Sequence, residues 1–172
     1  MKNIKEIRHP TTGKWLEQQI NVTNTYYQQE GICFCDKKPT PICVLKSEGA
    51  QISNAFFETK STTDYYGLYQ GHYFDFDAKM VSGDSFNVKK TIKPHQLNHL
   101  LTIKKHGGDA FIIVYFSDYD YYYLLDIDDL ISNKTIHLEQ IEDKYKINLL
   151  VPGIIVNWQP FFRQPIYIFY NP

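Results

Sequence analysis

A chain of 172 residues is enough for one domain with a single core, and a second full domain is not expected at this length. Apolar side chains make up 43% of it and aromatics 16%, which excludes global disorder, and no stretch approaches the roughly 18 consecutive apolar residues that span a bilayer. The net charge of −1 argues against a generic polyanion binder, and the opening MKNIKEIRHP has no apolar run after its lysines, so a soluble, cytoplasmic chain without a membrane partner is expected.

In chain order, the first element is a helix from Trp15 to about Gln29, where Leu16, Ile20, Thr23 and Tyr27 keep one stripe at helical spacing and Gly31 suits the reversal that follows. ICFC then reads as a strand. Pro39 and Pro41 cannot both sit inside a central ladder, so this strand must break, bend or run along an edge there. SEGAQISNAFFETK reads as weakly helical or irregular. TIKPHQLNHLLTIKKHGG is the clearest helix: Thr91 or Ile92 lies near its start, Pro94 fits the first turn, Leu97, Leu100 and Leu101 form the core stripe, and Lys104 and Lys105 favour the C-terminal dipole. DAFIIVYF and YYYLLDI are strands joined by SDYD, a short helix starts near Asp128, a segment around IHLEQIEDKY follows, and PIYIFY is a final strand.

The remaining stretch, TTDYYGLYQGHYFDFDAK, is a hairpin. With Gln70 and Gly71 as the central turn residues, Tyr69 faces His72 and Asp64 falls opposite Asp77. Side-chain alternation then places Asp64, Tyr66, Leu68, Tyr73, Asp75, Asp77 and Lys79 on one face, with Phe74, Phe76 and Ala78 on the other. Like charges directly opposed across a ladder are destabilising. Two facing carboxylates therefore suggest a divalent cation between them, because Mg²⁺ is typically held by one or two carboxylates plus waters and substrate phosphates. Lys79 leaves the same face and could meet the water, the phosphate or the developing negative charge, which is the arrangement of metal-assisted phosphodiester hydrolysis. The bland alternative is that these aspartates are the solvated face of an amphipathic strand.

Other chemistries find less support. Cys33, Cys35 and Cys43 show no C-x-x-C spacing and no zinc-finger histidine partner, and they read as buried thiols on strands. His95 and His99 share a helix at a spacing that can bind zinc, but no glutamate follows His95 and no third ligand is evident, so a DNA-facing or capping role is expected. HGGD follows a helix and precedes a strand, the wrong order for a phosphate loop. Charge is uneven: residues 1–110 hold 14 Lys and Arg against 11 Asp and Glu, residues 111–172 hold 4 against 8, so a nucleic-acid face belongs in the first two thirds.

In this order, TNTYY, KKPTP, STTDY, YFDFDAK, HQLNH and GGDAFIIV resemble the RecU family of Holliday junction resolvases over nearly the whole chain. The acid, spacer and acid-x-lysine also resemble the wider restriction-endonuclease-like nucleases. The resemblance implies an α/β (α+β) fold, a restriction-endonuclease-like core with a central mixed β-sheet flanked by helices. It implies a single nuclease domain over residues 1–172 with a projecting stalk at about 39–60. It further implies a homodimer, Mg²⁺ or Mn²⁺ as cofactor, and symmetric nicking of two like-polarity strands of four-way junction DNA in recombinational repair, with a recombinase and a branch-migration helicase as further candidate partners. By position, Asp64 and Asp77 look like metal-ligating carboxylates, Lys79 the catalytic lysine, Glu17 a third acid near the metal, and Asp75 a supporting acid. Thr62 and Thr63 flank the site, and Lys37, Lys38, Lys46, Lys60 and Gln96 would contact DNA. Two departures stand out: the family usually carries glutamate where Asp77 stands, and the stalk is a few residues short, with LKSEGAQ replacing its arginine-bearing part so that Lys46 is the nearest cation. The alternatives are a nuclease for other branched DNA, or a junction-binding protein of the same fold that no longer cuts.

Overall fold

The computed structural model describes residues 13–59, 61–141, 145–147, 149–151 and 154–156; the expected strand PIYIFY and the candidate Lys60 lie outside them. Helix α1 (Gly13–Gln29) buries Leu16, Ile20, Thr23 and Tyr27, the stripe expected from the spacing. It ends at Gly31, whose φ of 66° is a left-handed conformation that glycine adopts without a Cβ penalty. Ile32 still bonds back to the Tyr27 carbonyl, so the chain joins the sheet only at Phe34 and strand β1 is Phe34–Lys37, two residues later than ICFC.

β1 is an edge strand that stops before Pro39. Strands β2 (Ile42–Glu48) and β3 (Gln51–Phe57) follow and pair with each other as an antiparallel hairpin. This corrects the expectation of a weakly helical or irregular stretch from Ser47. The reversal needs only Gly49 and Ala50, with Gly49 at φ 59° as the first central residue, an arrangement suited to a type II′ turn. A register shift between Val44 and Lys46 breaks the side-chain alternation that would have signalled a strand. Every residue of the hairpin except half-buried Cys43 is exposed, so it projects from the body.

Strands β4 (Tyr65–Tyr69) and β5 (His72–Val81) form the second hairpin in the expected register, Tyr69 facing His72, Tyr66 facing Asp75 and Tyr65 facing Phe76. Gln70 and Gly71 both have positive φ, 47° and 84°, as a type I′ turn requires. A crossover carries the chain through β6 (Ser85–Asn87), α2 (Val88–Thr91) and α3 (Pro94–Lys105) to β7 (Asp109–Phe116), which lies parallel to β5. α3 begins at Pro94 rather than near Thr91, because a residue preceding proline is pushed out of the helical region and Lys93 is extended. β8 (Tyr121–Asp126), α4 (Ile127–Ser132), β9 (Thr135–His137), a turn of 3₁₀ helix (Leu138–Gln140), β10 (Lys146–Ile147), β11 (Leu149–Val151) and β12 (Ile154–Val156) complete the order.

The main sheet runs β1-β4-β5-β7-β8-β10, antiparallel except at β5–β7, hence mixed. β7 is buried on both faces. Phe111, Ile113 and Tyr115 join Leu16, Ile20, Tyr27, Phe74 and Phe76 under α1, whereas Ala110, Ile112, Val114 and Phe116 join Leu100, Ile127 and Leu130 under α3 and α4. Double burial explains why DAFIIVYF reads as one apolar run instead of alternating. Leu100, fully buried in the second cluster, anchors α3 to the sheet. Leu100→Ala is expected to cost about 2–5 kcal/mol, measurable as a lower urea midpoint at unchanged slope. Among the described residues no helix is long and apolar enough to cross a membrane.

Candidate active site: a carboxylate pair and a lysine beside a cleft

Asp64 lies one residue before the last ladder pair of β4 and β5, which sets it beside Asp77, as the register implied. The backbone N–H of Ala78 donates to Asp64 Oδ2 at 3.2 Å and to Asp77 Oδ1 at 3.1 Å, so one amide ties both carboxyls together. Asp77 is fully buried, which overturns the solvated-face alternative for it. Burial, followed by contact with the Asp64 carboxyl, pushes the Asp77 carboxyl up to about 8, although the Lys79 ammonium acts in the opposite direction. Lys79 Nζ sits 2.7 Å from Asp77 Oδ2 as an ion pair.

A buried carboxylate, paired with one ammonium and next to a second carboxylate, fits a hard divalent cation. Among the described residues no group of three or more His, Cys, Asp or Glu is arranged for a metal ion. The Glu17 carboxylate is held by Lys37 at 2.5 Å, while the Glu17 backbone carbonyl accepts from Tyr65 Oη at 3.1 Å.

Asp75 is also fully buried, and it is saturated with partners. Lys38 Nζ lies 2.5 Å from Asp75 Oδ2, Tyr73 Oη donates to the same oxygen at 3.0 Å, and Thr63 Oγ1 donates to Asp75 Oδ1. His99 Nε2, from α3, stands 3.0 Å from Asp75 Oδ2 and 3.1 Å from Lys38 Nζ. Lys38 Nζ further reaches Thr63 Oγ1 at 2.8 Å and Thr62 Oγ1 at 3.4 Å. The structure thus turns Lys38 inward, whereas Lys46 is exposed and pairs only with Glu48 at 3.5 Å. Burial and the Asp75 contact push the Tyr73 hydroxyl upward, which keeps it a donor. Alternation had placed Tyr73 on the Asp75 face. That His99 would close on the same carboxylate needed the packing of α3 on the sheet and could not be read from the H-x-x-x-H spacing.

A cleft of about 580 Å³ opens beside Asp64, lined by Phe57, Glu58 and Thr59 at the hairpin root, by Ser61, and by Lys93, His95 and Gln96 at the start of α3. The Gln96 side-chain carbonyl accepts from the Lys93 backbone N–H at 3.2 Å, capping its own helix, while the residue still lines the cleft. The cysteines are free. Cys35 is buried on β1, Cys33 lies just before that strand, and burial pushes the Cys33 thiol up to about 12.

An acid at the mouth of one strand and an acid-x-lysine on the next stand together on a mixed sheet with helices on both faces. The sequence matches the family described as Recombination protein U over residues 11–161. It is 40% identical over 124 residues to the Holliday junction resolvase RecU of Geobacillus sp. (strain WCH70), covering 69% of this chain and 62% of that protein. It is 35% identical over 155 residues to the Holliday junction resolvase RecU of Leuconostoc mesenteroides subsp. mesenteroides, covering 83% and 76%. Among solved structures, Hjc of Archaeoglobus fulgidus, a Holliday junction resolvase, is similar at a TM-score of 0.43 and 10% identity over 69% of this chain and 75% of that one. The chain belongs to the RecU family.

Proposed function

We propose that this chain is a Holliday junction resolvase, a structure-specific endonuclease that nicks two like-polarity strands of a four-way DNA junction in recombination and repair. The half-buried Asp64 at the cleft wall, beside the buried Asp77 and its partner Lys79, carries this reading. Asp64 and Asp77 would hold Mg²⁺ or Mn²⁺, and such an ion, when bound, polarises the phosphodiester and lowers the pKa of an attacking water. Asp77 must give up its proton to act as a ligand, which Lys79 assists by stabilising the carboxylate. Lys79 would also supply donor protons to negative charge developing on the phosphate. The exposed hairpin and the cleft supply the surface for branched DNA, with Lys37, Lys46, Lys60, Lys93 and Gln96 as candidate contacts.

A single domain with the hairpin as its stalk, working in the cytoplasm as a homodimer, completes the proposal. A four-way junction presents two equivalent strands, which a two-fold pair of sites matches. Lys46, the one cation on the described hairpin strands, is paired with Glu48, which favours a second reading in which the enzyme cuts other branched DNA with little selectivity. Cleavage of junction, flap and linear duplex side by side, in Mg²⁺, Mn²⁺ or chelator, tests both. Metal-dependent cutting of the junction at least about tenfold over the others, lost in Lys79→Ala, is the expected result. Equal cutting of all three supports the second reading, and junction binding with no cutting in any metal refutes the nuclease assignment.

A further inference from the structure

Two carboxylates stand two residues apart on β5, yet only Asp77 stands beside Asp64 at the candidate metal position; Asp75 is fully committed within the protein. Its partners come from four separate parts of the chain. Lys38 follows β1 where the chain leaves for the projecting hairpin, Thr63 precedes Asp64, Tyr73 lies on β5, and His99 is on α3. Lys38 also holds the Asp64 backbone, its own backbone N–H donating to the Asp64 carbonyl at 2.8 Å. On the far side of Asp64, Tyr65 Oη is fixed by the Glu17 carbonyl at 3.1 Å and by Asn21 Oδ1 at 2.9 Å. Asp64 itself lies one residue outside the ladder; its carboxylate accepts from the Ala78 N–H on β5, and its backbone is held by Lys38 and flanked by Thr63 and Tyr65.

From this geometry we infer that Asp75, Lys38 and His99 form a positioning cluster for the catalytic carboxylate Asp64, locking the hairpin root and α3 to it so that Asp64 and Asp77 present one fixed pair of oxygens. The inference rests on the nuclease reading above. A polar network centred on the buried Asp75 carboxylate is suited to this work, because displacing a partner leaves that buried carboxylate with an unpaired oxygen. A ligand displaced by about 1 Å costs on the order of a hundredfold in rate. The cluster acts through Asp64 and does not itself touch the reacting atoms.

The test uses the full chain with His99→Ala, Asp75→Asn and Tyr73→Phe, and Lys104→Met as a control that removes a different α3 ion pair, the one with Asp126. Three quantities are measured: Mn²⁺ affinity of the protein alone by electron paramagnetic resonance titration, junction binding in chelator, and kcat and KM for junction cleavage. The expected result is that His99→Ala and Asp75→Asn weaken Mn²⁺ binding and lower kcat, each by about tenfold or more. KM and chelator-state junction binding should stay within about twofold, Tyr73→Phe should fall between these variants and native, and Lys104→Met should match native. If Asp75→Asn does not fold, His99→Ala and Tyr73→Phe decide, since His99 is a quarter exposed and the tyrosine change removes one hydroxyl. Unchanged Mn²⁺ affinity and kcat in folded variants, with only a lower melting temperature, would reduce the cluster to a stability role and overturn the inference. A native protein that cleaves nothing in any metal would instead overturn the nuclease reading, while the Mn²⁺ titration would still judge the cluster.

Discussion

Asp77→Asn should abolish cleavage and yet make the metal-free protein more stable at alkaline pH. The loss of activity follows from removing one of two carboxylates that could ligate a cation, and is expected to be on the order of a thousandfold. The gain in stability follows from burial. Asp77 carries a folded-state pKa raised from 3.8 to about 8, so between these values the native state keeps a proton that the unfolded chain has released. Stability contributed by this group is therefore complete below about pH 4 and is lost as pH rises toward 8. Asparagine has no such proton to lose. In chelator, native protein should show a melting temperature that falls from pH 5 to pH 8 relative to Asp77→Asn, and divalent cation should restore the native protein preferentially at the alkaline end. A native melting temperature that tracks the variant across this range would contradict the upward shift of the buried Asp77 carboxyl.

Gly67→Ala should be the most damaging single methyl addition in the sheet. Gly67 sits on β4 between β1 and β5, and a Cβ there would meet Phe74 Cζ at 2.2 Å and the Phe34 backbone carbonyl at 2.3 Å. A ring can rotate away, but the carbonyl belongs to the ladder of β1 and cannot retreat without breaking it. Phe34 pairs with Leu68 and Cys35 with Gly67, so the displaced strand is the one that leads directly to Lys38. The cost is expected to be about 3 kcal/mol or more, at the upper end for overpacking. Chemical denaturation should show a large drop in midpoint, and native-state hydrogen exchange should show β1 opening first. A change below about 1 kcal/mol would mean that β1 is mobile enough to absorb a methyl.

Where local pattern and tertiary environment agree, the sequence was readable. The α1 stripe, the β4–β5 register and the apolar run of β7 are each governed by one period or one turn type, and the structure repeats them. The same register set Asp64 beside Asp77 and put Lys79 on their face before any packing was known. It failed at the projecting hairpin, where a register shift near Leu45 disrupts alternation, and exposure leaves no buried face to impose it. It also could not tell the two β5 carboxylates apart. Asp75 and Asp77 have the same parity and charge, and only the arrival of Lys38 from one edge and His99 from α3 makes the first a saturated network member while the second stands beside Asp64 and Lys79. Long-range convergence of this kind has no sequence period.

The most direct test of the account is cleavage of an end-labelled synthetic four-way junction by native protein and Asp64→Asn, with binding measured in parallel. Paired nicks on two strands of like polarity, present with Mg²⁺ or Mn²⁺, absent with chelator and absent in an Asp64→Asn protein that still binds the junction, are predicted. Undiminished nicking by Asp64→Asn would contradict the assignment of Asp64 and Asp77 as the metal-holding pair.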